Sequence, residues 1–141
     1  MPAFMSPLGP QTHALLRIVV GLLFLCHGDQ KLLGWPIAMP PEYASQMNAL
    51  AYTAGVIEFV GGALVMLGLF TRWTAFICSG QMAVAYWLAH GTKALFPIAN
   101  GGELAVLYCF VFLFFSAHGA GIWSLDAARV GRYDPQAAAL R

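Results

Sequence analysis

The chain has 141 residues, 60% of them hydrophobic and only 9% charged, with a net charge of +1. A soluble domain carries about a quarter charged residues, so this balance excludes an ordinary water-soluble globule. Seven Lys and Arg against six Asp and Glu make no basic surface, so no nucleic-acid partner is expected.

The few charges are spaced as membrane spans require. Asp, Glu, Lys and Arg are absent from residues 73–92 and 104–125, and Glu58 alone interrupts residues 43–71. A bilayer core takes about 20 apolar residues in helical form. The length therefore accommodates four spans in a single transmembrane domain. Residues 1–11 are Pro-rich and lack Lys and Arg, which does not fit a secretory signal, so the first span is expected to be retained. Cys26, Cys78 and Cys109 all fall in apolar segments with neither a CxxC pair nor metal-ligand spacing. They read as small buried hydrophobes, and no metal site is expected.

In chain order, Pro2, Pro7, Gly9 and Pro10 disfavour helix, and Thr12 is placed to cap the first span. Span one is expected over residues 13–33, with Arg17 one turn inside its start as a snorkelling anchor. Gly34-Trp35-Pro36 ends it, and Trp35 suits an interfacial aromatic belt. Pro40-Pro41-Glu42 opens a short interfacial helix over about residues 42–48. Span two covers residues 50–70. Gly55, Gly61, Gly62 and Gly68 thin one side of it and let another helix approach. Thr71-Arg72-Trp73 leaves almost no loop before span three, residues 73–90. A turn-rich stretch, residues 91–102, leads to span four, residues 103–117. Residues 124–141 form a tail, loosely ordered beyond Asp134. The fold class is all-α: an integral membrane four-helix bundle, antiparallel and up-down-up-down, with the interfacial helix between its first two spans.

Four spans put both termini on one side. Arg72, Arg129, Arg132 and Arg141 fall on that side, with Arg17 near it, while Lys31 and Lys93 fall on the other. The positive-inside rule then places both termini in the cytoplasm.

Helical rise converts sequence position into depth. His27 lies about 9 Å in from the outer end of span one, Glu58 about 12 Å in on span two and Gln81 about 14 Å in on span three. Lys31, His90, Lys93 and Glu103 lie within about one turn of the outer surface. A carboxylate facing lipid is costly, so Glu58 must be protonated, paired or placed against a wet cavity. His27 and Lys31 are four residues apart, on one face of span one, and are natural partners for Glu58 and Glu103. Asp29, two residues from each, points elsewhere, toward solvent or a second subunit. His27, Lys31, Glu58, Gln81, His90 and Glu103 are thus the candidate lining of a pocket in the outer half, with Phe24, Tyr86 and Trp87 as aromatic walls. Such a pocket suits a small amphiphile with carbonyl or hydroxyl groups, such as a quinone. No catalytic triad, phosphate loop, metal set or haem ligand pair is present in the pattern. The same polar groups could instead glue helices together with no ligand, and Gln81 in particular fits an interhelical hydrogen bond.

Several of these segments resemble one family. Arg17-Ile18-Val19-Val20-Gly21 with Phe24 and His27-Gly28-Asp29-Gln30-Lys31-Leu32 resembles the first span of the DoxX family. Glu58-Phe59-Val60-Gly61-Gly62 with Gly68-Leu69-Phe70-Thr71-Arg72 resembles its second. Asn100-Gly101-Gly102-Glu103-Leu104 resembles the start of its fourth, and Gly119-Ala120-Gly121 with Ser124-Leu125-Asp126 its ending. The likeness covers about residues 14–126; Asp29 departs from it, standing where an apolar residue is expected.

The resemblance implies a four-helix bundle in the cytoplasmic membrane with Arg17, His27, Lys31, Glu58 and Glu103 as shared residues. It further implies redox or detoxifying work: one branch is similar to a subunit of thiosulfate:quinone oxidoreductase, others accompany quinone, catechol or thiol stress responses, and a distant group acts as chaperones or cargo receptors. The chain carries no redox centre or cofactor of its own. It is expected to bind quinone as a substrate, to take electrons from a partner protein and to be at most a subunit of an oxidoreductase. A homo-oligomer is compatible with its small-residue faces. The alternative is a non-enzymatic scaffold, small-molecule binder, transporter or chaperone whose polar cluster is structural.

Overall fold

The structure, a computed structural model, describes residues 7–45 and 47–129. These residues are all-helical, in seven helices: α1 (Gly9–Leu33), α2 (Pro41–Ala44), α3 (Ala49–Leu67), α4 (Thr71–Ala89), α5 (Pro97–Asn100), α6 (Glu103–His118) and α7 (Leu125–Arg129). The expectation for the chain beyond Asp134 lies outside the described residues.

Two boundaries differ most from the sequence reading. α1 starts at Gly9, because Pro10 falls in the first helical turn, where a missing N–H costs nothing. Thr12 is therefore inside the helix, and its hydroxyl donates back to the carbonyls of Leu8 and Gly9. The helix before α3 is only four residues long. Asn48 is extended, and its side-chain oxygen accepts from Ala51 N at 3.0 Å, so the chain breaks there to cap α3.

α3 ends in a paired-carbonyl turn. Leu69 N donates to Leu64 O and Gly68 N to Val65 O, with Gly68 at φ 68°. Glycine is needed there: a Cβ would strike Ser124 and the Arg17 guanidinium. The next helix begins at Thr71 after Phe70, itself in the left-handed region at φ 50°.

α1 and α3 form the closest pair, and glycines set their separation. A Cβ on Gly21 would overlap the backbone of Met66 and Gly62; one on Gly28 would overlap Phe59 and Gly55; one on Gly62 would overlap Leu25. The glycines repeat every seven residues on both helices, at 21 and 28 and at 55 and 62, so each opening meets the other helix's opening. The register also shows the two helices running in opposite directions. α4 and α6 form the second close pair, with α3 against α4 joining the two. The core between the pairs is built from Phe24, Val65, Cys78, Met82, Tyr108, Phe112 and Phe115. Phe24 meets Phe112 at 4.6 Å and Tyr108 at 5.2 Å between ring centroids, so α1 and α6 touch through rings, not backbone.

The outer surface is apolar. Leu15, Leu22, Val56, Phe76, Trp87, Leu107 and Phe110 are among many large hydrophobic side chains left exposed. A water-soluble monomer rarely leaves so broad an apolar surface uncovered. α1 and α3 are each long and apolar enough to cross a bilayer, and α6 is apolar over 16 residues.

One end of the molecule is tied by arginines. Arg17 is fully buried, contrary to the expected snorkelling role. Its Nε donates to Ala120 O at 2.8 Å, Nη1 to Val65 O and Met66 O at 2.8 and 2.6 Å, and Nη2 to Trp123 O and Ile122 O at 2.7 and 3.4 Å. All five N–H groups are thereby matched to carbonyls at the end of α3 and in the turn after α6. Val65 and Met66 lie in the last turn of α3, where the carbonyls point out of the helix end and a cation suits them. Arg72 acts likewise on the end of α6, its Nη1 donating to Ser116 O at 3.1 Å and Ala117 O at 2.5 Å. Asp126 closes the same end. Its Oδ1 accepts from Phe70 N at 2.8 Å and its Oδ2 from Thr71 N at 2.9 Å, which caps α4 from a distant segment.

Candidate functional site

At the opposite end of the core a cavity of about 330 Å³ lies between the two helix pairs. α1 contributes Phe24, His27 and Lys31, and α3 contributes Glu58. α4 contributes Met82 and Ala85, α6 contributes Leu104 and Tyr108, and His90 stands at the rim.

Its centre is an ion pair. Lys31 Nζ reaches Glu58 Oε1 at 2.5 Å and Oε2 at 2.6 Å. The two residues meet because the glycine seam brings α1 and α3 close, and Lys31 stands beside Gly55, one turn before Glu58. The pair is asymmetric: the Glu58 side chain is 2% exposed and that of Lys31 28%. Gln81 adds a hydrogen bond from Nε2 to Glu58 Oε1 at 3.2 Å. A buried carboxylate needs such partners, and here α1 and α4 both supply one.

His27 packs edge-on against Tyr108, with ring centroids 6.1 Å apart. His90 is held by Asn100, whose backbone oxygen lies 3.0 Å from Nδ1. Asn100 organises the whole roof. Its Nδ2 donates to Ala94 O at 2.9 Å and to the Tyr86 hydroxyl at 3.2 Å, and its Oδ1 accepts from Gly102 N at 2.8 Å. His90 and Tyr86 are thus both tied to one buried residue, His90 through the Asn100 backbone carbonyl and Tyr86 through its side-chain amide.

Three expectations are corrected. Glu103 is exposed in the first turn of α6 and lies off the cavity wall; among the described residues Lys31 pairs with Glu58 alone. Depth along a helix fixes height, not rotation, and α6 turns Glu103 outward. Gln81 reaches Glu58 from a separate groove between α3 and α4, lined by Ala54, Ile57, Gly80 and Val84, and does not border the cavity. Asp29 is buried, 8% exposed, not facing solvent, and its Oδ1 has no hydrogen-bond partner. It follows Gly28, where the backbone of α3 comes against α1.

Two residues escaped the sequence reading. Tyr108 forms the aromatic wall in place of Trp87, which is 66% exposed. Asn100 was visible only as a turn residue. Its placement three residues after Pro97 and two before Gly102, in a short helix-and-turn, was the available signal.

The chain is 48% identical to an uncharacterized protein of Haemophilus influenzae over 83% of its own length and 90% of the relative's. It is 32% identical to an uncharacterized membrane protein of Mycobacterium tuberculosis, over 89% of this chain and 85% of that one. No solved structure matches it. The DoxX family profile matches residues 12–91, which include Arg17, His27, Lys31, Glu58, Gln81 and His90. With its apolar exterior and these relatives, the chain belongs to the DoxX family of membrane proteins.

Proposed function

We propose that this chain spans the cytoplasmic membrane as an antiparallel, up-down-up-down four-helix bundle with both termini cytoplasmic, and that its cavity receives a quinone or a related small aromatic carbonyl compound for a redox or stress-detoxifying system. The observation that carries this reading is the Lys31–Glu58 pair on the wall of a 330 Å³ cavity. That volume lies at the lower end of the range of about 300–1,000 Å³ usual for small-molecule pockets.

The chemistry rests on the groups present. An ammonium has three donors, and Glu58 takes two of those of Lys31. The third can donate to a ligand carbonyl, and the ring of Tyr108 offers a face on which a quinoid ring can rest. Reducing a quinone to a quinol takes two electrons and two protons. A partner oxidoreductase would supply the electrons, while His27 and the Lys31–Glu58 pair are placed to move protons to the ring oxygens. The chain acts as the quinone-binding subunit in this scheme.

The test is to purify the protein in mild detergent, extract co-purifying small molecules and identify them by mass spectrometry, beside Glu58→Gln. A quinone or related aromatic in the wild type, reduced about tenfold in the variant, is expected from the loss of a charge-assisted contact. Equal amounts in both would sink the proposal. A second reading has its own observation: Glu58 is fully satisfied by Lys31 and Gln81 without any ligand. If neither sample holds a ligand and the variant only loses stability, the cluster is structural and the protein a scaffold or transporter.

A further inference from the structure

The arginine-tied end carries a second concavity, remote from the Lys31–Glu58 cavity. It has a volume of about 620 Å³ and lies between the start of α4, the turn after α6 and α7. Arg72, Arg129 and His118 border it, with the exposed rings of Phe70 and Trp73 at its edge.

The two arginines attached to α1 and α4 differ in one respect. Every N–H of Arg17 is matched to a carbonyl. Arg72 uses Nη1 alone for Ser116 and Ala117. Its Nε and Nη2 make no hydrogen bond among the described residues, and they lie over Gly119, 3.3 and 3.4 Å from where a Cβ would stand. Nε and Nη2 form one edge of the guanidinium fork, the edge that binds two oxygens of a phosphate at once. Arg129 makes no close ion pair among the described residues: its guanidinium lies over the Phe70 ring, 4.9 Å from the centroid, with the Asp126 charge near enough to interact with it. Asp126 borders the same space, but both its oxygens are engaged by the N–H groups of Phe70 and Thr71. His118 is anchored through Nδ1 to Phe114 O at 2.9 Å, which leaves Nε2 unengaged.

We infer that this concavity is a binding site for the phosphate of an anionic phospholipid, held on the free edge of Arg72 and by Arg129. A lipid is favoured over a soluble phosphate by the flanking rings. Trp73 is 76% exposed and Phe70 58%, and such rings sit at the headgroup level of a bilayer with acyl chains beside them. With one carboxylate against two guanidiniums, the concavity keeps a net positive charge, which disfavours a headgroup that carries its own positive charge.

The test uses the full chain in detergent and native mass spectrometry. Phosphatidylglycerol, phosphatidylcholine and soluble glycerol phosphate are titrated separately against wild type, Arg129→Gln and Arg72→Lys. Among the described residues Arg129 makes a ring contact with Phe70 and a charge interaction with Asp126 but no hydrogen bond, so its variant is expected to keep the fold, and thermal unfolding in detergent checks that. Retention of phosphatidylglycerol over phosphatidylcholine is expected, with each variant weakening it about fivefold. Equal retention of the two lipids, or no change in Arg129→Gln, would overturn the site. Binding of glycerol phosphate as tightly as phosphatidylglycerol would overturn the lipid assignment. Arg72→Lys keeps a charge but loses the fork, so a variant binding as well as wild type would also count against it.

Discussion

A carboxylate at mid-helix in an apolar protein is stable only with partners, and Glu58 has them on two sides. Removing one partner alone should be worse than removing both charges. Lys31→Met leaves Glu58 buried without a cation, and a loss of about 3 kcal/mol is expected. Lys31→Met combined with Glu58→Leu should recover most of that stability, because no charge then remains unpaired. Unfolding of the three proteins in detergent measures the difference. The double variant also separates fold from function, since it should remain folded yet fail to retain a cavity ligand. The pairing of Lys31 with Glu58 could be read from sequence because both residues carry formal charge and helical rise sets their depth. The burial of Arg17 could not: its partners are five backbone carbonyls, which no residue letter announces. Asp29 reads as outward-facing because two residues on a helix point away from the Lys31 face, yet it is buried in the folded chain.

Among the elements, the contact between α1 and α3 depends on missing side chains. Gly28→Ala puts a methyl group against the Phe59 backbone, which cannot swing aside. The helices must separate, and a loss of about 1–3 kcal/mol is expected. Gly80→Ala is the matching control, because a Cβ there meets nothing within 4 Å. It should be neutral or gain up to about 1 kcal/mol through helix propensity. Comparing the two unfolding midpoints tests whether the seam, rather than glycine content, holds the pair. The glycines were legible as a packing face, and the seven-residue repeat on both helices gives that face its register. Rotation about each helix axis was not legible. Hydropathy is nearly even around α6, so nothing in its sequence told whether Glu103 faced the cavity or the outside.

For the molecule as a whole, the described end of the chain is a structural part and not an appendage. Asp126 N donates to Gly68 O, and the Asp126 carboxylate caps α4. Burial pushes that carboxyl upward, but the Thr71 backbone and hydroxyl, the Phe70 N–H and the Arg129 charge together outweigh it and hold the group below the ordinary 3.8. A depressed carboxyl stabilises the fold above its unfolded value and ceases to do so as pH falls through its folded value. Asp126→Asn should therefore lower the unfolding temperature at pH 7 by the equivalent of about 1 kcal/mol. The gap to wild type should close only below pH 3.8. A gap unchanged at acid pH would show that the carboxylate's charge is not what stabilises the cap.

The aromatic contact between α1 and α6 has a mechanical consequence. Where α1 and α3 interlock backbone to backbone, α1 and α6 merely lean ring on ring at Phe24, Tyr108 and Phe112. Arg17 rivets the far end across three segments, whereas at the cavity end, among the described residues, the Gln81–Glu58 bond is the one side-chain hydrogen bond from one half to the other. The protein is thus built like a pair of tongs, with a fixed fulcrum at the arginines and jaws at the cavity. Parting the jaws would draw the Phe24 ring off the tilted and edge-on faces of Tyr108 and Phe112 and stretch the Gln81–Glu58 bond, leaving the backbone contacts of each arm intact.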